Sequence, residues 1–502
     1  MWVCEKNIIG DNQRKSILHF VGSILIFLGL VLLIPIVVSL IYHENYYILP
    51  FLFSSLISLF IGLFLRFYFK KPTKISIRNA MFFSSGIWFI VVGISALPFY
   101  LSGDLSYLDG FFEAMSGYTT TGFTMYLNVD NISFTMNFWR GFMQWLGGLG
   151  ILFIILTVIH TVTSGSRVLY KAEGRSELIL HTVKETTRYM FLLYLGFTVC
   201  GIIAFVLCGM PLFDSIFYTF VAIASGGFAM ANNTLLIYNN LWTWWVAIVI
   251  MIIGATNFSL YYFILKGNWR EYFKDDETKL FLTLLLTGTI FLTGMFMYSG
   301  VYGENIFMSF NYAIFHVVSA VTTTGLQITS SPFLLQAWPG ITLFTLTIFM
   351  IIGGGSTSTA GGIKWDKIVI MIKGFKKEIK KLSFPENAIV NEKFHHKKDI
   401  LIDDKLILST LLFICLYVFV YLISVFIGFM YSNDLSSVMF ELASALGNVG
   451  LSCGFMTPSS PVILKVLFII DLWLGRLEIW PILLLLTSYF IRPYKTKHSK
   501  RK

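Results

Sequence analysis

Four stretches decide the fold: FFEAMSGYTTTGF (111–123), IFYTFVAIASGGF (216–228), IFHVVSAVTTTGL (314–326) and MFELASALGNVGL (439–451). Each reads as a short apolar helix running into a glycine that is followed by Phe or Leu, the glycines being Gly122, Gly227, Gly325 and Gly450. Ten positions before each glycine stands a Phe, at Phe112, Phe217, Phe315 and Phe440. Recurrence of this kind marks a repeated architectural unit. In a chain with 49 Phe and 40 Gly one such coincidence carries no weight. Four of them, each lying between two long apolar runs, define a unit of helix, re-entrant loop, helix.

Outward from these loops the chain is apolar throughout. Of its 502 residues, 56% are hydrophobic and only 13% charged, against about 25% charged in soluble globular proteins. The mean hydropathy is +0.74. A soluble protein is excluded, and the bilayer rather than a soluble core sets the element lengths. Lys and Arg are absent from 16–65, 79–139, 189–265, 280–363 and 406–464, and each of these windows holds two apolar runs of roughly 20 residues. Basic residues collect in the connectors between them: Arg66 to Arg78, Arg167 to Arg188, Lys266 to Lys279, and 364–405. Short cytoplasmic loops gather Lys and Arg, so each window is one excursion out and back, giving ten crossings with both termini cytoplasmic. Arg140, Lys465 and Arg476 fall within or at the edge of apolar runs. The first run, 17–42, exceeds the about 7–15 residues of a signal-peptide core and lacks a small-residue cleavage pattern, so it is expected to remain as a helix. Cys4, Cys200, Cys208, Cys415 and Cys453 form no CxxC pair and read as packing residues.

The fold class that follows is an all-α polytopic membrane protein. Four helix/re-entrant pore loop/helix repeats surround a pseudo-fourfold pore, preceded by two N-terminal transmembrane helices. The expected divisions are 1–75 for the N-terminal pair, then 76–170, 171–270, 271–395 and 396–502 for the four repeats.

Irregular backbone at membrane depth is tolerated only where protein buries it or where it lines a water-filled cavity. Four such loops must therefore meet around an axis. Glycine permits backbone angles that turn successive carbonyls toward one line, and a ring of carbonyl oxygens can replace the hydration shell of a potassium ion. The short helices would aim their C-terminal, negative ends inward and favour a cation. Asp104, Asp109, Glu113, Asp130, Asp214, Glu304, Asp434 and Glu441 give the extracellular segments an acidic character, for the most part a corollary of the segregation of basic residues.

The run from Trp338 beyond Ile370 is too long for one span of about 20 residues. It is expected to break at GGGSTSTAGG, which places Gly353, Gly354, Gly355, Gly361 and Gly362 within ten residues and so loses helix propensity. Close packing of small residues against another helix is the alternative. Asp471, Arg476 and Glu478 lie in the last apolar run, where ionisable groups face the bundle interior; Asp471 and Glu478 are candidate ion-pair partners of Arg476. No HExxH, Walker P-loop or GxSxG elbow occurs. His395 and His396 are adjacent in a Lys-rich loop and read as a solvated pair rather than a ligand site. The protein is not expected to be an enzyme, to carry a cofactor or to bind nucleic acid, while the basic connectors suit anionic membrane lipid or a cytosolic partner.

The loops TTTGF, SGGF, TTTGL and NVGL, with WRGFMQWLGGLGI (139–151), GGGSTSTAGGIK (353–364) and LWLGRLEIWP (472–481), resemble the Trk/Ktr/HKT superfamily of potassium transporters. The two additional N-terminal helices make the chain similar to the bacterial TrkH-type subunit. The resemblance implies a selectivity filter, with potassium as the transported ion, lined by Thr120, Thr121 and Gly122; Ser225, Gly226 and Gly227; Thr323, Thr324 and Gly325; and Asn448, Val449 and Gly450. A Ser at the first-repeat glycine goes with sodium preference in this superfamily, so Gly122 implies potassium. The resemblance further implies that 353–362 is an intramembrane loop obstructing the pathway until regulation moves it, that Arg476 is the positive charge beneath the filter, and that Lys364 matches a family position. It implies a homodimer in the bacterial cytoplasmic (inner) membrane, with a ring of cytosolic nucleotide-binding regulatory subunits. A sodium- or proton-coupled secondary carrier remains the alternative.

Overall fold

The computed structural model describes residues 11–69, 77–150, 183–330, 333, 337–385, 390–396 and 398–477. Among these the chain is helical apart from one short hairpin.

The N-terminal pair consists of Asp11–Val31, continued by Ile34–Ile41, and Ile48–Tyr68. The restart at Ile34 comes just before Pro35, whose missing N–H is tolerated only in a first helical turn. Small residues let the pair approach closely. A Cβ on Gly22 would lie 2.7 Å from the Gly62 carbonyl, and Ser55 and Ser58 each donate across the interface, to Gly29 O and Leu25 O, at 2.7 Å. Such contacts hold helices together in lipid, where apolar burial supplies no drive.

Each repeat is an outer helix, a short helix, a loop and an inner helix. In order these are Ile77–Ser95, Tyr107–Tyr118 and Phe134–Leu149; Val183–Leu207, Leu212–Ile223 and Leu241–Ala255; Asp276–Ser299, Ile306–Val321 and Gly340–Ile351; and Asp404–Phe429, Leu435–Leu446 and Val462–Leu477. Three short helices begin on side-chain caps: Ser106 accepts from Asp109 N, Asn305 from Met308 N and Asp434 from Ser436 N. Beyond their first turns the short helices are mostly buried, whereas the outer helices present Val199, Ile203, Ile290, Leu422 and Phe426 outward. That inversion suits a protein whose solvent is lipid.

Among the described residues five helices are long and apolar enough to cross a membrane, or six if Leu241–Ala255 and Phe258–Leu265, bent by 101°, form one span. The ten crossings expected from charge are not counted in full by this measure. Residues 151–182 and 478–502 lie outside the described residues, and the third inner helix is divided as its glycines predict: Gly340–Ile351 ends before 353–362 and the helix resumes as Trp365–Ser383.

The exception to the all-α expectation is an antiparallel hairpin of β1 (Lys393–His396) and β2 (Lys398–Leu401). It crosses the expected 395/396 junction of the third and fourth repeats, and Phe394 packs with Val369, Ile370 and Ile402.

Candidate ion pathway

The four loops share one backbone. Thr120, Ser225, Thr323 and Asn448 all occupy the left-handed region, at φ of 56°, 54°, 52° and 52°. Two residues later Gly122, Gly227, Gly325 and Gly450 follow at 109°, 78°, 78° and 98°. A non-glycine residue there is strained by about 1 kcal/mol or more, so its recurrence at one place in every repeat is imposed by the surrounding structure.

The loops meet. A Cβ on Gly227 would lie 2.5 Å from Thr121 O, 2.7 Å from Thr324 O and 3.1 Å from Val449 O, so carbonyls of the other three loops surround it. One on Gly122 would lie 2.6 Å from Gly226 O. Residues 121, 226, 324 and 449 are equivalent positions in the repeats, and their oxygens converge. All twelve residues expected at this site are thus brought together, and no side chain could be added at Gly122, Gly227, Gly325 or Gly450 without striking a neighbouring loop.

In the first, second and fourth repeats the residue after the repeated Phe holds the chain leaving the loop. Glu113 accepts from Met125 N at 2.7 Å and Thr124 Oγ1 at 3.0 Å. Glu441 accepts from the backbone N–H of Cys453, Gly454, Phe455 and Met456 at 2.7–2.9 Å. In the second repeat the Tyr218 hydroxyl accepts from Met230 N at 3.4 Å. His316 takes the third position, with Nδ1 2.8 Å from Tyr312 O. Three residues further on, Ser116 and Ser444 accept from Gly122 N and Gly450 N at 3.0 and 2.9 Å. These supports were not anticipated, although a fixed offset from Phe112 and Phe440 was the signal for them. Nor was Gln144, whose amide nitrogen donates to Gly226 O.

The acidic residues expected to face outward are largely engaged. Arg140 pairs with Glu113 at 2.7 Å, both fully buried, and also donates to Ala229 O at 3.0 Å while lying over the Phe228 ring. Lys465 pairs with Asp109 at 2.5 Å. Glu441 is enclosed by amides.

The glycine-rich segment lies directly against the loops. Gly361 N donates to Thr323 Oγ1 at 2.8 Å, Thr359 Oγ1 is 2.9 Å from Ser225 Oγ, and a Cβ on Gly361 would lie 2.8 Å from that of Asn448. Asn448 itself donates to Thr121 Oγ1 at 3.2 Å and to Leu472 O at 2.8 Å. The segment closes on itself: Gly353 N donates to Ile363 O and Ile363 N to Ile351 O, both at 2.9 Å. Gly353 packs against the Gly361 carbonyl too closely for a side chain, Gly354 O accepts from Trp365 N at 3.1 Å, Gly355 N donates to Ala255 O at 3.0 Å, and Gly362 has φ +65°.

Arg476 reaches across the same region. Its guanidinium donates to Thr359 O at 2.5 Å, to Gly148 O at 3.3 Å and to Gly147 O. It therefore ties the segment to the end of the first inner helix. Asp471 accepts from Ser424 at 2.8 Å, and Glu478 lies outside the described residues. Lys364 donates to Ala360 O.

One set of metal-ligand residue types is assembled among the described residues. Asp275, Glu277 and His396 bring their donor atoms within 4.8 Å of one another. His396, expected to be solvated, is 1% exposed. Its partner His395 stays at the surface beside Asp399, at 2.7 Å, and this contact holds the Asp399 carboxyl below its usual range.

Residues 50–490 match the family model of the TrkH cation transport proteins. An uncharacterized cation transporter of Methanocaldococcus jannaschii is 30% identical over 479 residues, covering 95% of this chain and 96% of its own. The Trk system potassium uptake protein TrkH of Escherichia coli is 28% identical over 490 residues, covering 95% and 99%. The crystal structure of the potassium transporter TrkH from Vibrio parahaemolyticus superposes with a TM-score of 0.85 at 26% identity, covering 96% of this chain and all of that one. With four repeats converging on one axis and the match running through all of them, the chain belongs to the TrkH family of cation transport proteins, and is a multi-pass membrane transporter rather than an enzyme.

Proposed function

We propose that the protein takes up potassium across the bacterial cytoplasmic membrane through a gated, channel-like pore. The observation that carries this reading is the convergence of the carbonyls of Thr121, Gly226, Thr324 and Val449 beside Gly227. Such oxygens can stand in for the water shell of a potassium ion, and the short helices end where the loops meet, adding the negative ends of their dipoles. The relatives from E. coli and V. parahaemolyticus, named for potassium, support the choice of cargo. In this reading the filter is lined by Thr120 to Gly122, Ser225 to Gly227, Thr323 to Gly325 and Asn448 to Gly450. The segment 353–362 is the gate, and Arg476 adds a charge barrier beneath the filter. The basic connectors put both termini in the cytoplasm. The working assembly is a homodimer with a ring of nucleotide-binding regulatory subunits on that face.

The test is reconstitution into liposomes with a fluorescent readout of potassium and sodium entry. Potassium flux should exceed sodium flux and should need no second ion gradient. A strict requirement for a sodium or proton gradient at each turnover would replace the pore with a coupled carrier.

A further inference from the structure

The hairpin carrying His396 is built into the base of the glycine-rich segment. On its outer side it is clamped to two helices. His395 N donates to Asp276 Oδ2 at 2.7 Å, and Lys373 donates to the same carboxylate at 2.5 Å and to Lys393 O at 2.6 Å. On its inner side His396 is buried between the start of the third outer helix and the bend after Ala255, with Nδ1 2.7 Å from Asp275 Oδ1 and 3.7 Å from Glu277 Oε1.

The hydrogen-bond network assigns the tautomer. Asn257 Oδ1 accepts from Ser259 N at 3.0 Å, from Ser259 Oγ at 2.6 Å and from Thr357 Oγ1. Its amide nitrogen is therefore the atom that faces Ser356 Oγ at 2.9 Å and His396 Nε2 at 3.4 Å. Nε2 must accept, which leaves the Nδ1 hydrogen for Asp275. A metal on Nδ1 would displace that hydrogen to Nε2 and set it against the Asn257 amide, so the cluster reads as a hydrogen-bonded relay and not as an ion site.

What the relay reaches is the segment 353–362. Asn257 grips Ser356 and Thr357, while Glu277 accepts from Ser356 N at 3.1 Å and from Ser356 Oγ at 2.9 Å. Two side chains thus hold two successive residues of the segment, and His396 sits against both of them. We propose that His396 is a cytosolic latch: it positions Asn257 and Glu277 so that they hold the glycine-rich segment in place, and withdrawal of the hairpin releases it. The consequence for flux rests on the reading that this segment obstructs the pathway, whereas the latch itself does not.

The experiment uses the full chain and reads both levels. Amide hydrogen exchange over 353–362 is compared among wild type, His396→Ala, His396→Asn and His396→Gln, alongside potassium and sodium flux in liposomes without any partner. Gln can reach Asn257 as Nε2 does, whereas Asn can reach only Asp275. His396→Ala and His396→Asn should speed exchange across the segment by about tenfold, the effect of leaving one buried polar group unpaired, and raise potassium flux with unchanged potassium over sodium preference. His396→Gln should stay near wild type. Wild-type exchange over 353–362 in intact His396→Ala protein overturns the latch. Should that variant not fold, equal exchange in the Asn and Gln variants does so instead. Faster exchange with wild-type flux supports the latch and removes the gate from the proposed function.

Discussion

The hydroxyl of Thr323, at the base of the third loop, accepts a hydrogen bond from the backbone N–H of Gly361, 2.8 Å away in the glycine-rich segment. The glycine-rich segment and the third loop are therefore in direct contact. Thr323→Val keeps the shape and removes the acceptor, and an orphaned buried N–H costs about 1–3 kcal/mol. Potassium flux without regulatory subunits should rise roughly tenfold or more, with selectivity held by the untouched carbonyls. Stopped-flow flux into liposomes measures it.

Gly122→Ser tests the carbonyl ring. The new Cβ would lie 2.5 Å from the Gly227 carbonyl carbon and 2.6 Å from Gly226 O, at a φ of +109° that a side chain rarely adopts. Strain of this kind costs on the order of 1–3 kcal/mol and is relieved by moving the second loop. Potassium over sodium preference should fall, seen as a shift in reversal potential in mixed gradients. An unchanged value would remove this loop from the filter.

Arg476 supports two separable effects. Its guanidinium binds Thr359 O, Gly147 O and Gly148 O, and in the proposed reading its charge repels a cation at membrane depth. Arg476→Ala should raise potassium flux by removing both. Arg476→Lys keeps the charge but lacks the forked donors, so flux between the two extremes would apportion the barrier. Flux equal to wild type in a well-expressed Ala variant contradicts both roles.

Shortening Gly353–Gly362 by several residues tests the segment as a whole. It should give constitutive flux, independent of the regulatory subunits, with unchanged selectivity and intact assembly by size exclusion. A packing role would instead show as lost assembly.

Arg140→Ala should be felt as stability rather than flux. It leaves Glu113 buried without its 2.7 Å partner, a loss of roughly 3–5 kcal/mol for a buried pair. Thermal melting in detergent should fall markedly, and Glu113→Gln in the same chain should recover part of it.

The repeats, the loops and the divided third inner helix were legible because each leaves a local mark: Phe112 and its equivalents at fixed distance from a glycine, and five glycines in ten residues at 353–362. The carbonyls that Arg476 binds were not: Thr359 and Gly147 lie more than a hundred residues away, and a carbonyl carries no residue identity to read. His396 was misread for a related reason. Lysines around it suggest solvent, yet the hairpin turns one side of β1 inward, and alternation in a four-residue strand is too short to announce that. Glu113 and Glu441 looked like part of an acidic mouth because the backbone amides that bind them leave no mark in the sequence and Arg140, the partner of Glu113, lies 27 residues away.

The contact between Asn448 and Thr121 joins residues 327 apart in the chain, and Lys465 to Asp109 joins residues 356 apart. The ring is closed by its first and last members. A chain made from its N-terminus delivers the first loop long before the fourth exists, so Thr121 waits through most of synthesis without the neighbour that completes its surroundings. Closure of the ring of loops is then a separate event from membrane insertion of the helices, and it follows the arrival of the fourth repeat. A truncation in the last repeat would be a lesion of the first, and a cell that inspects newly made membrane proteins would find the defect hundreds of residues from the missing sequence.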